Sequence, residues 1–465
     1  MQQPLETIFQ NQKANYKAVG APSADIRIQQ LKRLKDCIQK YELLIFQALA
    51  DDLGKSKFEA AVTEVYFIYS EIDFAIKHLR QWVLPKRAKS TLSSLFAKHR
   101  ITYQPKGICL IIAPWNYPFQ LTMGPLISAL SAGNRVMIKP SEYSIHTSNI
   151  ILKILTTAFD PSSVYCALGN QDISTALLEL PFDHIFFTGS TQVGQIVMRA
   201  AAKHLSSVTL ELGGKSPVLI GQDTDLQKAA EKIAWGKLLN AGQTCIAPDY
   251  ILIQKDQEAQ FIHYFQTAVA HFIYSPSGAM NRDSYAKIIT PKHLSRLHQL
   301  IDDACTQGAR IAWKGAGDSA DTFAPTLLQN VPPESRIMQE EIFGPILPII
   351  TYDTLEEAIK FIQDRPKPLA LYLFSNSIKM TDHVLKNVSS GGACVNDVIL
   401  HVSNPHLPFG GVNQSGTGSS HGYFGFKTFS HERAVMYQSN FAFSKLIYPP
   451  YSDKSSLLKW LKRLM

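Results

Sequence analysis

The 465-residue chain predicts an α/β protein built on two doubly wound, mainly parallel sheets. Three observations carry that prediction. Between residues 108 and 212, short wholly apolar runs alternate with longer stretches of helical periodicity. Apolar strands that lack a polar face are covered on both sides, which is the mark of a parallel sheet. The same rhythm restarts after Gly213. Length points the same way, because one hydrophobic core stops growing at about 250–300 residues. A chain that is 45% hydrophobic and 18% charged has the composition of an ordinary folded protein, and disorder is excluded.

The elements follow in order. Residues 24–80 repeat apolar positions every three or four and contain no Gly or Pro except Gly54, so they predict helix. A segment bounded by Pro85 and Pro105 comes next, with alternation at Ile101 and Tyr103 that predicts a strand. Strands are then expected at Ile108–Ala113, Val136–Lys139, Val164–Ala167, Ile185–Thr188 and Val208–Leu212. Helices are expected between and beside them, at Leu121–Ala132, Thr147–Ala158, Ile173–Leu180 and Gln192–His204. After Gly213 the pattern predicts strand Pro217–Ile220, helix Leu226–Asn240 and strand Tyr250–Gln254, with more α/β units to about residue 400. Residues 401–440 are rich in Gly, Ser, His and Phe and read as loops plus strands. Ser455–Met465 reads as a short basic amphipathic helix.

A net charge of +8 invites a nucleic-acid or membrane-surface partner. The excess is local. Phe74 to Lys106 holds eight basic residues and no acidic one, which leaves 38 basic against 38 acidic elsewhere (46 less 8). No RNP-like or helix-turn-helix pattern accompanies it, and nucleic acid is not expected as a partner. The six cysteines lie far apart with no CxxC pair, so neither a disulfide scaffold nor a metal site is expected. The polar start has no apolar core of a secretory signal. No apolar run approaches the roughly 20 residues of a membrane span. A cytoplasmic protein is the expectation.

Five segments carry chemistry. Gly189-Ser-Thr-Gln-Val-Gly194 joins a strand to a helix, where free backbone N–H groups and the helix dipole favour a pyrophosphate. Thr191 stands where the usual dinucleotide fingerprint has its middle glycine, so a plain strand-to-helix turn fits as well. Lys139 and Glu142 close another predicted strand. They read as ribose ligands, since open α/β sheets bind at strand C-termini, or as a solvated pair at a helix start. Cys245 lies in Gly242-Gln-Thr-Cys-Ile-Ala-Pro248, between a helix and a strand, where a thiol with a lowered pKa becomes a nucleophile. Asn116 in Pro114-Trp-Asn-Tyr-Pro118 offers an amide to an oxyanion, and Glu211 ends an apolar strand whose surroundings raise a carboxyl pKa toward neutrality. Each of the last two also has a bland alternative, as a helix cap or a solvent-facing acid.

Together these motifs resemble the aldehyde dehydrogenase superfamily. Pro114–Pro118, Phe187–Ser190, Glu211–Pro217, Gly242–Ala247, Glu340–Pro345 and Pro408–Val412 occur in its typical order, and the likeness runs from about residue 5 to about residue 450. The Asn-Tyr-Pro form, the run Gly242–Tyr250 and Tyr448-Pro-Pro-Tyr451 are similar to the class 3 branch, which includes fatty and aromatic aldehyde dehydrogenases. The resemblance implies a Rossmann-like cofactor domain (residues 1–83 and 104–210) and a catalytic domain (211–400). It further implies a β-hairpin oligomerisation arm (84–103 and 401–440) and a C-terminal tail (441–465).

Residue by residue, the resemblance makes Cys245 the nucleophile, Asn116 the oxyanion donor and Glu211 the base for deacylation. Lys139 and Glu142 match adenosine-ribose contacts, and Gly189, Ser190 and Gly194 the diphosphate turn. Glu341 matches the nicotinamide-ribose ligand, with a possible share in base duty, and Phe343 packs near the nicotinamide. Tyr117 and Trp235 line an apolar substrate tunnel or pack in the core. The implied reaction oxidises an aldehyde through a cysteine thiohemiacetal and a thioester, which water then hydrolyses. NAD is the expected acceptor because Glu142 repels a 2′-phosphate, with NADP also accepted in class 3 relatives. A homodimer is implied, with the basic segment near the partner subunit. The tail is read as a docked or frayed helix, or as a membrane-surface contact. Two alternatives stand beside this reading: a CoA-acylating enzyme and an inactive scaffold relative.

Overall fold

The computed structural model describes residues 4–91, 94, 96–440, 448–452, 454, 458 and 462. The amphipathic helix read at Ser455–Met465 therefore lies outside the described residues, apart from 458 and 462.

Two large sheets form the molecule. The first has six strands in the order Gly416–Thr417, Ser207–Glu211, His184–Thr188, Ile108–Ile112, Arg135–Lys139 and Val164–Cys166. All pair in parallel except Gly416–Thr417. Side chains alternate between the faces. Cys109, Ile111, Val136, Ile138 and Phe186 pack under the helices Ala24–Leu53, Gln120–Ala132 and Ile145–Ala158. Leu110, Ile112, Met137, Ile185 and Phe187 pack on the opposite side with Leu5–Val19, Gln171–Leu178 and Thr191–Ala202. Both faces are thus dry, which explains why these strands show no polar alternation.

The second sheet has seven strands in the order Arg310–Lys314, Thr326–Gln329, Ile346–Tyr352, Tyr250–Gln254, Pro217–Ile220, Ala370–Phe374 and Gly392–Val395. Only Arg310–Lys314 runs antiparallel to its neighbour. In the first sheet the chain order reverses between Ile108–Ile112 and His184–Thr188, which lie side by side. A reversal of this kind opens a crevice at the strand C-termini. The loops that leave these two strands carry Asn116 and Gly189.

Helix and strand positions follow the periodicity closely, with two exceptions. Leu5–Val19 is a helix that the sequence pattern does not announce, because only Ile8, Phe9 and Gln12 are buried along it. Gln12 secures it by donating to the carbonyls of Val136 (3.1 Å) and Pro161 (3.0 Å). The second exception is the stretch 401–440, expected to belong to the arm. It divides. Ser430–Tyr437 joins Lys86–Ala88 and Lys98–Pro105 in a three-stranded antiparallel sheet. Gly416–Thr417 instead closes the edge of the six-stranded sheet, and Gly422–Thr428 is a helix that buries Phe426 among the N-terminal helices. Glycine makes the edge closure possible: a Cβ on Gly416 would lie 2.2 Å from the carbonyl oxygen of Leu210. Among the described residues no helix is long and apolar enough to cross a membrane.

Candidate active site

A cavity of about 1100 Å³ lies between the two large sheets. Its wall includes Asn116, Gly189, Ser190, Glu211, Cys245, Glu341 and Phe343. These residues span 228 positions of sequence (116 to 343), and the topology brings them to one place.

The loop that carries Cys245 is built by unusual backbone. After the helix Leu226–Leu238, Asn240 (φ 51°), Ala241 (φ 52°) and Gly242 (φ 74°) are all left-handed. Non-glycine residues in that region persist only where their surroundings hold them, and they gather at functional sites. Gln243 does the holding here. Its side chain donates to Asn240 O (3.0 Å) and Lys287 O (2.9 Å) and accepts from Ile289 N (3.1 Å). Gly242 cannot be replaced cheaply, since a Cβ there would meet the Gly344 carbonyl oxygen at 2.4 Å. Two residues on, Thr244 meets the Tyr117 hydroxyl at 2.7 Å. Cys245 is half-buried. Asn116 lies beside this loop, its amide donating to Gln243 O at 3.0 Å.

Both glutamates are buried carboxyls. Burial pushes Glu211 up to about 8, opposed weakly by the nearby Ser420 hydroxyl. Burial also pushes Glu341 up to about 8, with the Asp249 charge adding to it. Among the described residues neither Glu211 oxygen has a hydrogen-bond partner, nor has Glu341 Oε1. Orphaned buried acceptors of this kind call for an explanation; facing a cavity, they are free for a substrate, a cofactor or a water. The Cys245 thiol is pushed up by burial and then by the charges of Glu341 and Glu211.

The other half of the cavity suits a dinucleotide. Gly189 N donates to Glu211 O at 3.0 Å, and Ser190 caps the helix Thr191–Ala202 through Val193 N. The first N–H groups of any helix lack intrahelical partners, and here they begin at the cavity wall, where the dipole favours a phosphate. Thr188 Oγ1, also in the wall, is buried without a partner. Gly213 leaves room for the Glu341 carboxylate, which a Cβ would meet at 2.0 Å. The residues present therefore fit a bound NAD(P). Gly194, expected in the diphosphate turn, faces inward instead: its Cβ would lie 2.7 Å from Leu212, so it serves close helix–strand packing. Lys139 and Glu142 pair with each other at the end of Arg135–Lys139, outside the cavity wall. Phe343 (φ 51°) meets Trp115 edge-on at 5.3 Å.

Tyr117 is buried, and Trp235 is 37% exposed on the helix that leads toward the Cys245 loop; neither lies in the wall of the main cavity. Other residues near the site escaped sequence reading. Lys215 joins Asp249 and the carbonyls of Ile337 (2.6 Å) and Glu340 (3.1 Å). Lys237 is wholly buried and lowered by burial to about 8, in the field of Asp249, Lys215 and Glu341. Lys55, Glu59 and Glu64 support the loops from below. Lys55, Glu59, Glu64 and Lys237 fall in stretches of helical periodicity, where charged residues read as solvated faces; Lys215 stands inside the Glu211–Pro217 motif, but its partner Asp249 lies 34 residues further on.

A thiol, an amide donor and two buried carboxyls thus stand together beside a dinucleotide-type crevice, an arrangement suited to an oxidoreductase. Residues 2–435 match the Aldehyde dehydrogenase family. The chain is 46% identical over 436 residues to "Putative aldehyde dehydrogenase AldX" of Bacillus subtilis (strain 168), covering 94% of this chain and 98% of that protein. It is 43% identical over 461 residues to "Aldehyde dehydrogenase family 3 member A2" of Rattus norvegicus, covering 98% and 93%. The substrate-bound structure of Staphylococcus aureus AldH superposes with a TM-score of 0.93 at 41% identity, over 99% of this chain and 100% of that one. The chain belongs to the aldehyde dehydrogenase family, among relatives of class 3. It is an oxidoreductase that acts on aldehydes with NAD(P).

Proposed function

We propose that this protein oxidises apolar aldehydes, of medium or long aliphatic chain or aromatic, to carboxylic acids with Cys245 as nucleophile. The observation that carries this reading is the meeting of Cys245, Asn116, Glu211 and Glu341 in one cavity, with carboxylate oxygens left unpaired. Cys245 gives up its proton to a neighbouring carboxylate and attacks the aldehyde carbon. The alkoxide formed is held by the Asn116 amide and the Cys245 N–H. When bound, NAD(P) would supply the acceptor for the hydride of the thiohemiacetal carbon, and Cys245 would then carry the acyl group as a thioester. Glu211 then takes a proton from water as it attacks the thioester, the C–S bond breaks, and the acid leaves. Gly189, Ser190, Glu341 and Phe343 hold the cofactor, with Lys139 and Glu142 at its adenosine end. Tyr117 and Trp235 flank the approach of an apolar chain.

Glu142 favours NAD over NADP through its charge. A thiol-dependent reaction suits the reducing cytoplasm, where we place the protein. We place its homodimer contact on the arm sheet, whose open strand edges are ready-made pairing surfaces.

A panel of aldehydes with NAD or NADP, assayed for acid with and without CoA, tests the reading. Free acid without CoA, and kcat/KM rising with chain length or aromatic character, is expected. Product that forms only with CoA would make it an acylating enzyme instead.

The two raised carboxyls also set the pH dependence. The ionised carboxylate is the active base, so kcat/KM rises with pH through a midpoint near 8. A profile that is flat from about pH 6 to about pH 9 counts against either glutamate as base. Stability moves the opposite way. Between their ordinary value of 4.5 and about 8, the folded protein keeps protons that the unfolded chain has lost, so the fold weakens as pH climbs through that window.

A further inference from the structure

Asn116 and Cys245 stand on loops of different sheets, and a third part of the chain fixes their relative position. It lies near the start. Lys57–Ala60 forms one α turn that widens into a π turn over Ala61–Val65. Hydrogen bonding from i to i+5 brings residues five apart toward one side of a helix, and such insertions gather at functional sites. The residues brought together here are Glu59 and Glu64.

Glu64 and Lys55 form an ion pair of 2.6 Å with no exposed side-chain surface. Lys55 Nζ also donates to the Asn116 carbonyl at 3.1 Å and sits 3.8 Å over the Tyr117 ring. The second oxygen of Glu64 accepts from Phe119 N (2.9 Å) and Gln120 N (3.1 Å), at the start of the helix Gln120–Ala132. Both ends of the turn that presents Asn116 therefore hang on one buried pair. Glu59 Oε1 accepts from Asn240 N at 2.9 Å, the first of the left-handed residues before Cys245. The Asn240 amide donates in turn to Asn116 O (2.8 Å) and Gln243 O (3.1 Å). Packed apolar residues are often as stable as a buried ion pair, or more so. What this pair supplies, and apolar residues would not, is directed bonds to particular backbone atoms of both loops.

We propose that Lys55, Glu59 and Glu64 are positioning residues, a clamp that holds the Asn116 amide in register with Cys245 and so sets the oxyanion hole. The inference rests on the roles proposed above for Asn116 and Cys245. It is tested with Lys55→Met, Glu59→Leu and Glu59→Gln, the last of which keeps an acceptor for Asn240 N. For each, kcat and KM are measured per folded molecule, together with NADH affinity and the rate of Cys245 alkylation by iodoacetamide. In Lys55→Met and Glu59→Leu, kcat falls by about 10²-fold, the scale of a lost oxyanion donor, while NADH affinity and alkylation change by less than about threefold. Glu59→Gln recovers most of the kcat lost in Glu59→Leu.

A role confined to stability would lower the folded fraction and leave kcat per folded molecule alone, and that result overturns the clamp. So do equal losses in Glu59→Leu and Glu59→Gln. Should Lys55→Met not fold, the Glu59 pair decides the question alone. Cys245→Ala and Asn116→Ala run in parallel: activity retained in those two sinks the underlying reading, whereas their inactivity beside fully active clamp variants sinks the clamp only.

Discussion

Cys245→Ala removes aldehyde oxidation, with kcat reduced by at least about 10⁴-fold, while NADH still binds. Of the six cysteines, Cys245 alone lines the main cavity. Cys37, Cys109 and Cys166 are buried outside that wall, and burial pushes the last two thiols upward. Substitution by Ala leaves the left-handed turn at Asn240–Gly242 and its Gln243 bonds in place, so the cofactor half keeps its shape. NADH absorbance and equilibrium binding, measured on the same preparation, separate the two effects. A variant that keeps more than a few per cent of wild-type turnover shows that the thiol is not the nucleophile.

Glu211→Gln is expected to pass the first hydride and then stall. A fast release of one NADH per site precedes a steady state slower by about 10²–10⁴-fold, the usual contribution of a positioned base. The reasoning is electrostatic. Glu211 is held near 8 by burial, so it can take a proton from water near neutrality, and Gln cannot. Glu341 is poised alike, which makes the comparison informative. If Glu341→Gln gives the burst and Glu211→Gln does not, the two carboxyls exchange roles. A normal steady state in Glu211→Gln removes that residue as the base.

Much of this architecture was legible in advance, for a physical reason. Strands such as Ile108–Ile112 and Pro217–Ile220 are dry on both faces, so they print as apolar runs that Gly and Pro punctuate. The motif residues Asn116, Glu211, Cys245 and Glu341 sit at strand ends and loops, where odd residue types stand out. What stayed hidden depends on long-range pairing. Leu5–Val19 buries too narrow a stripe to show a period. The two-residue strand Gly416–Thr417 has no pattern of its own; it exists because Glu211 and Leu210 lie opposite it. Lys55 and Glu64, buried against each other, look from sequence like two solvated charges. Their partners at Asn116, Phe119 and Gln120 lie 55 and more positions further along the chain, and no window sees them together.

The strand Gly416–Thr417 also has a consequence for how the protein is made. It bonds the edge beside Glu211, while the neighbouring Leu212 N donates to Ser415 O at 3.1 Å. The last β-pairing of the nucleotide sheet thus waits for residues synthesised some 200 positions after the strand they complete. On the ribosome, the first half of the chain emerges with that edge open, and an open edge is a template for foreign pairing. Gene fragments that stop before residue 415 carry every strand of the two large sheets but this one, and they also lack the helix Gly422–Thr428 and the arm strand Ser430–Tyr437. They are expected to aggregate rather than to yield a smaller working enzyme.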